Sequence, residues 1–178
     1  MTILVTGGTG TVGSHVVANL AAAGHDTRVL TRSPEKVGAL PNGVTGAIGA
    51  LSEPVTLGPA FEGIDRLFLL TPLAQDEVDQ GLAGVEAARA AGVERIVFMS
   101  VHQADQALRI PHFASKVEIV RGLERSGIPY TVLEPNSFYQ NDVWFRQPLM
   151  EFGVYPNPLG SVGLNRVDVR DIATAAVT

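Results

Sequence analysis

The stretch Thr2–Thr6 and the seven residues after it, GGTGTVG, constrain the fold more than any other part of the chain. Five residues that read as a short buried strand run into a loop with glycine at positions 7, 8, 10 and 13. A helix with apolar periodicity opens behind it, over Thr11–Ala23, with Gly24 as its stop. A strand, a glycine loop and a helix in that order begin a βαβ unit. The start of such a helix offers free N–H groups and a positive dipole end to a phosphate. Two spacings overlap in the loop: Gly8-x-Gly10-x-x-Gly13 and Gly7-x-x-Gly10-x-x-Gly13. Either parse points to a bound dinucleotide.

The rest of the chain repeats the alternation. Strands are expected at Thr27–Thr31, Val44–Ile48, Arg66–Thr71, Arg95–Ser100 and Tyr130–Glu134, with helices at Pro54–Phe61, Asp76–Ala91 and His112–Ser126. Ser33-Pro34 reads as a helix N-cap with proline behind it, and Gly92 and Gly127 read as stops. Alternating strands and helices imply an α/β fold, a three-layer doubly wound parallel sheet of the Rossmann type. Ligands of such sheets bind beyond the carboxyl ends of the strands, near the switch in strand order. Residues 1–178 are expected to form one such domain, with 136–165 as an irregular, substrate-side segment. A last strand over Asn165–Val169 leads into a helix at Arg170. The chain ends at TAAVT inside that helix, so the C-terminal lobe is expected to be truncated or minimal.

Composition narrows the partners. Hydrophobic residues are 46% and charged residues 17%, which suits a packed core. No apolar run reaches the roughly 18 residues of a membrane span, and no signal peptide is evident, so a cytoplasmic location is expected. The absence of cysteine excludes thiolate catalysis and Cys-ligated zinc. The four histidines show no metal-ligand spacing, so no metal is expected. A net charge of −5 weighs against nucleic acid and leaves a small molecule as the expected partner. Such domains also pair through helices beside the sheet, so a homodimer is compatible with the sequence.

The end of the second strand discriminates between the two dinucleotides. An acid there holds the ribose 2′-OH of NAD, whereas an arginine suits the 2′-phosphate of NADP. Here Thr31 is followed by Arg32 and Ser33, with Lys36 one turn on and no acid over 30–34. NADP(H) is therefore preferred over NAD(H).

Three segments, TGGTGTVGSHVV with RVLTRSPEK, then HFASKVEIVRGLERSGIPYTVLEPNSFYQN, then VDVRDIA, carry a resemblance to the NmrA-like group of atypical short-chain dehydrogenases. That resemblance spans essentially the whole chain and is most specific over His112–Asn141. It implies an NAD(P)-binding Rossmann domain and favours the Gly7, Gly10, Gly13 parse. It also implies a pyrophosphate on Gly7, Thr9, Gly10, Thr11 and Val12 and an adenosine phosphate on Arg32, with Ser33 and Lys36 beside it. The loop Thr71-Pro72-Leu73 would run along the cofactor ribose, Lys116 would contact the nicotinamide ribose, and Pro135, Asn136, Ser137 and Phe138 would border the nicotinamide. Two positions depart from the pattern. Gly49-Ala50-Leu51 stands where the family often has Gly-Asp-Leu, and Glu134-Pro135-Asn136 where it often has Arg-Pro-Gly.

Typical short-chain dehydrogenases use Tyr-x-x-x-Lys, two residues on one helix face, with the tyrosine as general acid. The matching pair here is His112-x-x-x-Lys116, and these two are the candidate catalytic residues. A missing tyrosine argues against ordinary alcohol–ketone chemistry and less against quinone reduction. Phe138, Tyr139, Trp144 and Phe145 could stack on a flat acceptor or fill a lobe interface. The favoured expectation is an NADPH-dependent oxidoreductase acting on quinones or similar flat acceptors. The alternatives are an NADP(H)-sensing regulator working through protein partners and a non-redox enzyme on the same fold.

Overall fold

The computed structural model describes residues 1–156 and 163–178. Its centre is a six-stranded parallel sheet of β1 (Thr2–Thr6), β2 (Asp26–Thr31), β3 (Val44–Ile48), β4 (Arg66–Leu69), β5 (Arg95–Met99) and β6 (Tyr130–Leu133). Their spatial order is β3-β2-β1-β4-β5-β6. The sequence therefore runs outward from β1 to one edge, returns, and runs from β4 to the other. The switch falls between β1 and β4, whose residues Leu4 and Val5 pair with Leu67 and Phe68.

Because parallel strands are covered on both faces, they read as near-continuous apolar runs. Alternate side chains then feed two separate cores. Leu4, Leu67, Ile96 and Phe98 point to the side covered by α3 (Leu57–Phe61), α4 (Glu77–Ala91) and α5 (Pro111–Ser126). Val5, Val29 and Phe68 point to the side covered by α1 (Gly13–Ala22) and α7 (Val169–Val177), where they meet Val16, Leu20 and Ile172. Helices α4 and α5 pack closely through small residues. A Cβ on Gly81 would lie 2.4 Å from Ile119 Cδ1, and one on Gly122 2.3 Å from Leu82 Cδ2.

Most element boundaries fall within two residues of expectation. Helix α1 starts at Gly13 rather than Thr11, because Thr11 and Val12 belong to the glycine loop. Ser33 precedes the short α2 (Pro34–Val37), but its hydroxyl donates to the Glu35 carboxylate instead of capping the helix. The 136–165 segment carries more order than expected. It holds β7 (Ser137–Phe138), a 3₁₀ turn over Tyr139–Phe145 and α6 (Arg146–Phe152). Strand β7 pairs with β8 (Arg166–Val167), and Arg166 ties the segment down through Asp142 and the Phe138 carbonyl. Residues 157–162 of that expected segment lie outside the described residues. Among the described residues, no helix is long and apolar enough to cross a membrane.

Candidate functional site

A groove runs along the carboxyl ends of the strands, on both sides of the β1–β4 switch. Thr6 closes its floor. Its Oγ1 accepts from Leu70 N at 2.7 Å and donates to Leu70 O at 2.8 Å, which locks the two strand ends together.

The glycine loop forms the wall between the groove's two halves. Gly7 has φ +64°, a left-handed conformation that glycine adopts without steric cost. A Cβ on Gly13 would stand 2.2 Å from Gly7 O and 2.9 Å from Gly8 Cα, both backbone atoms. The turn can therefore close over the helix start only if residue 13 is glycine. Gly8 is packed as closely: a Cβ there would meet Val29 Cγ1 at 2.8 Å and Val17 Cγ2 at 3.1 Å. All three glycines are thus demanded by geometry, whichever spacing is used to parse the loop. Gly10 N donates to Gly7 O at 2.9 Å, while no backbone acceptor takes the N–H groups of Thr11, Val12 or Gly13. No side chain caps α1 either. Free amides at the positive end of a helix, on a loop closed tightly at its glycines, fit a pyrophosphate.

One half of the groove, about 770 Å³, lies over β2 and β3. Arg32, Ser33 and Lys36 line it with Gly7, Thr9, Pro72 and Leu73, as do Gly49-Ala50-Leu51. Arg32 is exposed, and Lys36 reaches across to Thr9 Oγ1 at 3.5 Å. The start of α4 also contributes Asp76 and Gln80, paired at 2.9 Å, which the sequence reading did not single out.

The other half, about 720 Å³, lies over β4 and β5. It brings together Gly10, Thr11, Val12, Thr71, His112, Lys116 and the run Pro135–Phe138. Every residue expected at the site lines one half or the other except Gly13, which is buried beneath the loop. Of the four aromatics, Phe138 and Trp144 line this half, and Trp144 is 72% exposed. Tyr139 instead stacks under Arg166, and Phe145 packs edge-on against Tyr155. No tyrosine lines this half among the described residues.

Behind His112 and Lys116 stands a residue the sequence reading missed. Glu77, on the first turn of α4, is completely buried. Its Oε2 lies 2.6 Å from His112 Nδ1, and its Oε1 lies 2.9 Å from Lys116 Nζ. Thr71 Oγ1 donates to the same Oε1 at 2.7 Å and accepts from Lys116 Nζ at 2.7 Å. The Met99 carbonyl, 3.1 Å away, is a third acceptor around the ammonium. Lys116 is therefore enclosed by protein acceptors, and the Thr71 hydroxyl is turned into the network rather than along the groove. Phe98 lies beneath, its ring centre 5.2 Å from Nζ.

Burial opposes ionisation of Glu77. The Lys116 ammonium outweighs it, helped by hydrogen bonds from Thr71 and His112, and holds the carboxyl below the usual glutamate range. Burial also dominates at Lys116 and draws its ammonium below the usual lysine range, with Glu77 only partly offsetting this. Nearby, Ser100 Oγ is buried without a hydrogen-bond partner at the end of β5.

A parallel sheet with this strand order, and a glycine cradle at its switch point, defines the Rossmann class of α/β domain. The chain belongs to the NmrA-like family, whose sequence model matches residues 1–178. It is 37% identical to the NAD(P)H azoreductase of Xenophilus azovorans over 178 residues, covering 98% of this chain and 62% of that one. Among solved structures it is similar to the NADPH-dependent quinone oxidoreductase of Escherichia coli in complex with NADPH. The TM-score is 0.88 at 27% identity, covering 98% of this chain and 62% of that one. A Citrobacter triphenylmethane reductase in complex with NADP(H) gives 0.87 at 28% identity, covering 99% of this chain and 64% of the reductase. The chain thus spans just over three-fifths of the length of these relatives.

Proposed function

We propose that this chain is the dinucleotide-binding part of an NADPH-dependent oxidoreductase that reduces quinones, dyes or similar flat acceptors. The observation that carries the reading is the two-part groove, with a phosphate-type cradle at its centre and the His112–Lys116 face at one end. The similar proteins named above act on an azo, a quinone or a triphenylmethane compound, and two were solved with NADPH or NADP(H).

In this reading the free amides of Thr11 and Val12 hold the pyrophosphate, against Gly7, Thr9 and Gly10. Arg32 meets the 2′-phosphate with a planar donor fork, with Ser33 and Lys36 beside it. Pro72 and Leu73 border the ribose. Pro135, Asn136, Ser137 and Phe138 flank the nicotinamide, and Lys116, held by Glu77, Thr71 and the Met99 carbonyl, lies behind the sugar next to it. Bound there, the reduced nicotinamide supplies hydride. Phe138 and Trp144 offer flat apolar surface for an acceptor, and closing that surface excludes water. Among the described residues no tyrosine lines this half of the groove to serve as acid.

Purified protein should oxidise NADPH when given a panel of quinones, azo dyes and triarylmethane dyes. Lys116→Ala should lower that rate. Tight NADPH binding with no turnover of any acceptor would overturn the reading.

A further inference from the structure

The Glu77–His112 contact has a chemical consequence that depends on the acceptor. Glu77 is ionised and can only accept, so His112 Nδ1 must carry the proton that lies between them. The ring is thereby fixed in orientation, with Nδ1–H on the carboxylate and Nε2 turned away from it. Its other nitrogen, Nε2, has no protein hydrogen-bond partner and is not among the buried unpartnered atoms of the described residues. It is therefore open to the groove half that His112 lines with Pro135–Phe138 and Trp144. The side chain keeps 30% of its surface exposed, whereas the carboxylate behind it keeps none. A buried carboxylate holding the rear of an imidazole, whose front nitrogen faces a ligand groove, is the arrangement of an oriented proton donor. The second charged partner of Glu77, Lys116, lies one helical turn further along α5.

We propose that Glu77 and His112 act as a proton-donating pair, with Glu77 as the positioning residue and His112 Nε2 as the atom that protonates the reduced acceptor. This rests on the oxidoreductase reading above and divides its substrates into two classes. A quinone or azo compound takes up one hydride and one proton. Hydride alone leaves an oxyanion or a nitrogen anion. His112, donating as the imidazolium with both ring nitrogens protonated and Glu77 as counter-ion, gives it the Nε2 proton and becomes the neutral Nδ1–H imidazole. Water then returns a proton to Nε2, and Nδ1–H stays on Glu77 throughout. A cationic triarylmethane dye takes up hydride at its central carbon and becomes neutral, so it needs no proton. The pair should matter for the first class and be idle for the second.

The test is His112→Gln, at a partly exposed position where the fold is expected to hold, assayed with NADPH and two acceptors. For a quinone, kcat should fall by about 100-fold, the scale of one positioned general acid, with KM for NADPH unchanged. For a cationic triarylmethane dye, kcat should stay within about twofold, because no proton transfer is lost. Glu77→Gln, assayed where circular dichroism shows it folded, should give the same selective loss. An equal loss with both acceptors would overturn the proposal, because the pair would then be serving hydride transfer or cofactor placement. So would no loss with either acceptor. Wild-type protein that consumes NADPH with neither acceptor would overturn the oxidoreductase reading, and this proposal with it.

Discussion

Glu77 decides what two neighbouring groups can do. Remove its charge and Lys116 remains as a buried cation with two neutral acceptors, Thr71 and the Met99 carbonyl. Breaking a buried pair in this way costs about 3–5 kcal/mol. Glu77→Gln should lower the unfolding free energy obtained from urea denaturation by that order at pH 7. The pH dependence has a definite sign. The folded-state pKa of Glu77 lies below its unfolded value, so its contribution is complete above about pH 4.3 and is lost as pH falls through the folded value. The stability gap between wild type and Glu77→Gln should therefore close below about pH 4.3, toward the acid limit of folding. A gap that stays constant with pH would refute the charge-based account. Residue type just after a strand end pointed to Arg32 and Lys36, and the resemblance to short-chain dehydrogenases pointed to His112 and Lys116. Glu77 was not legible, although a signal was present. It occupies the spacing 77, 81, 84, 85, 88, which is the buried stripe of α4. A carboxylate on an apolar stripe demands a partner, and only the packing of α5 on α4 reveals which one.

At the scale of elements, the glycine loop is a steric device. Gly13→Ala would push a methyl group into the Gly7 carbonyl and the Gly8 backbone, neither of which can swing aside. It should cost about 1–3 kcal/mol by denaturation and weaken NADPH binding, as measured by fluorescence titration. Gly122→Ala is the informative contrast. Its added Cβ meets only the Leu82 side-chain tip, so it should cost less and leave NADPH binding unchanged. Strands and helices could be placed from the sequence because buried parallel strands and helical stripes have distinct periods. The 136–156 stretch hid its strand and helix. Its order comes from Arg166 bridging Asp142 and Phe138 across 24 and 28 residues, and no local pattern announces so distant a clamp.

At the scale of the molecule, the doubled-back strand order sets β1 beside β4 and opens one groove across two halves. A ligand lying in both halves touches the ends of β1, β2, β4 and β5 at once, so it should stabilise the whole sheet. Saturating NADPH at a hundred times its Kd should add about 2.7 kcal/mol to unfolding, seen as a raised thermal midpoint. The alternation of elements made this architecture legible, and the glycine loop marked where the switch lies. The lining of the acceptor side was not legible, because Phe138 and Trp144 reach it from the segment after β6. If this groove holds NADPH with Arg32 at its 2′-phosphate, a paired titration of NADPH and NADH will show it. Wild type should prefer NADPH, and Arg32→Asp should weaken NADPH by about tenfold or more while sparing NADH, as expected for one lost charge-assisted contact. An unchanged NADPH-to-NADH ratio in Arg32→Asp would contradict it.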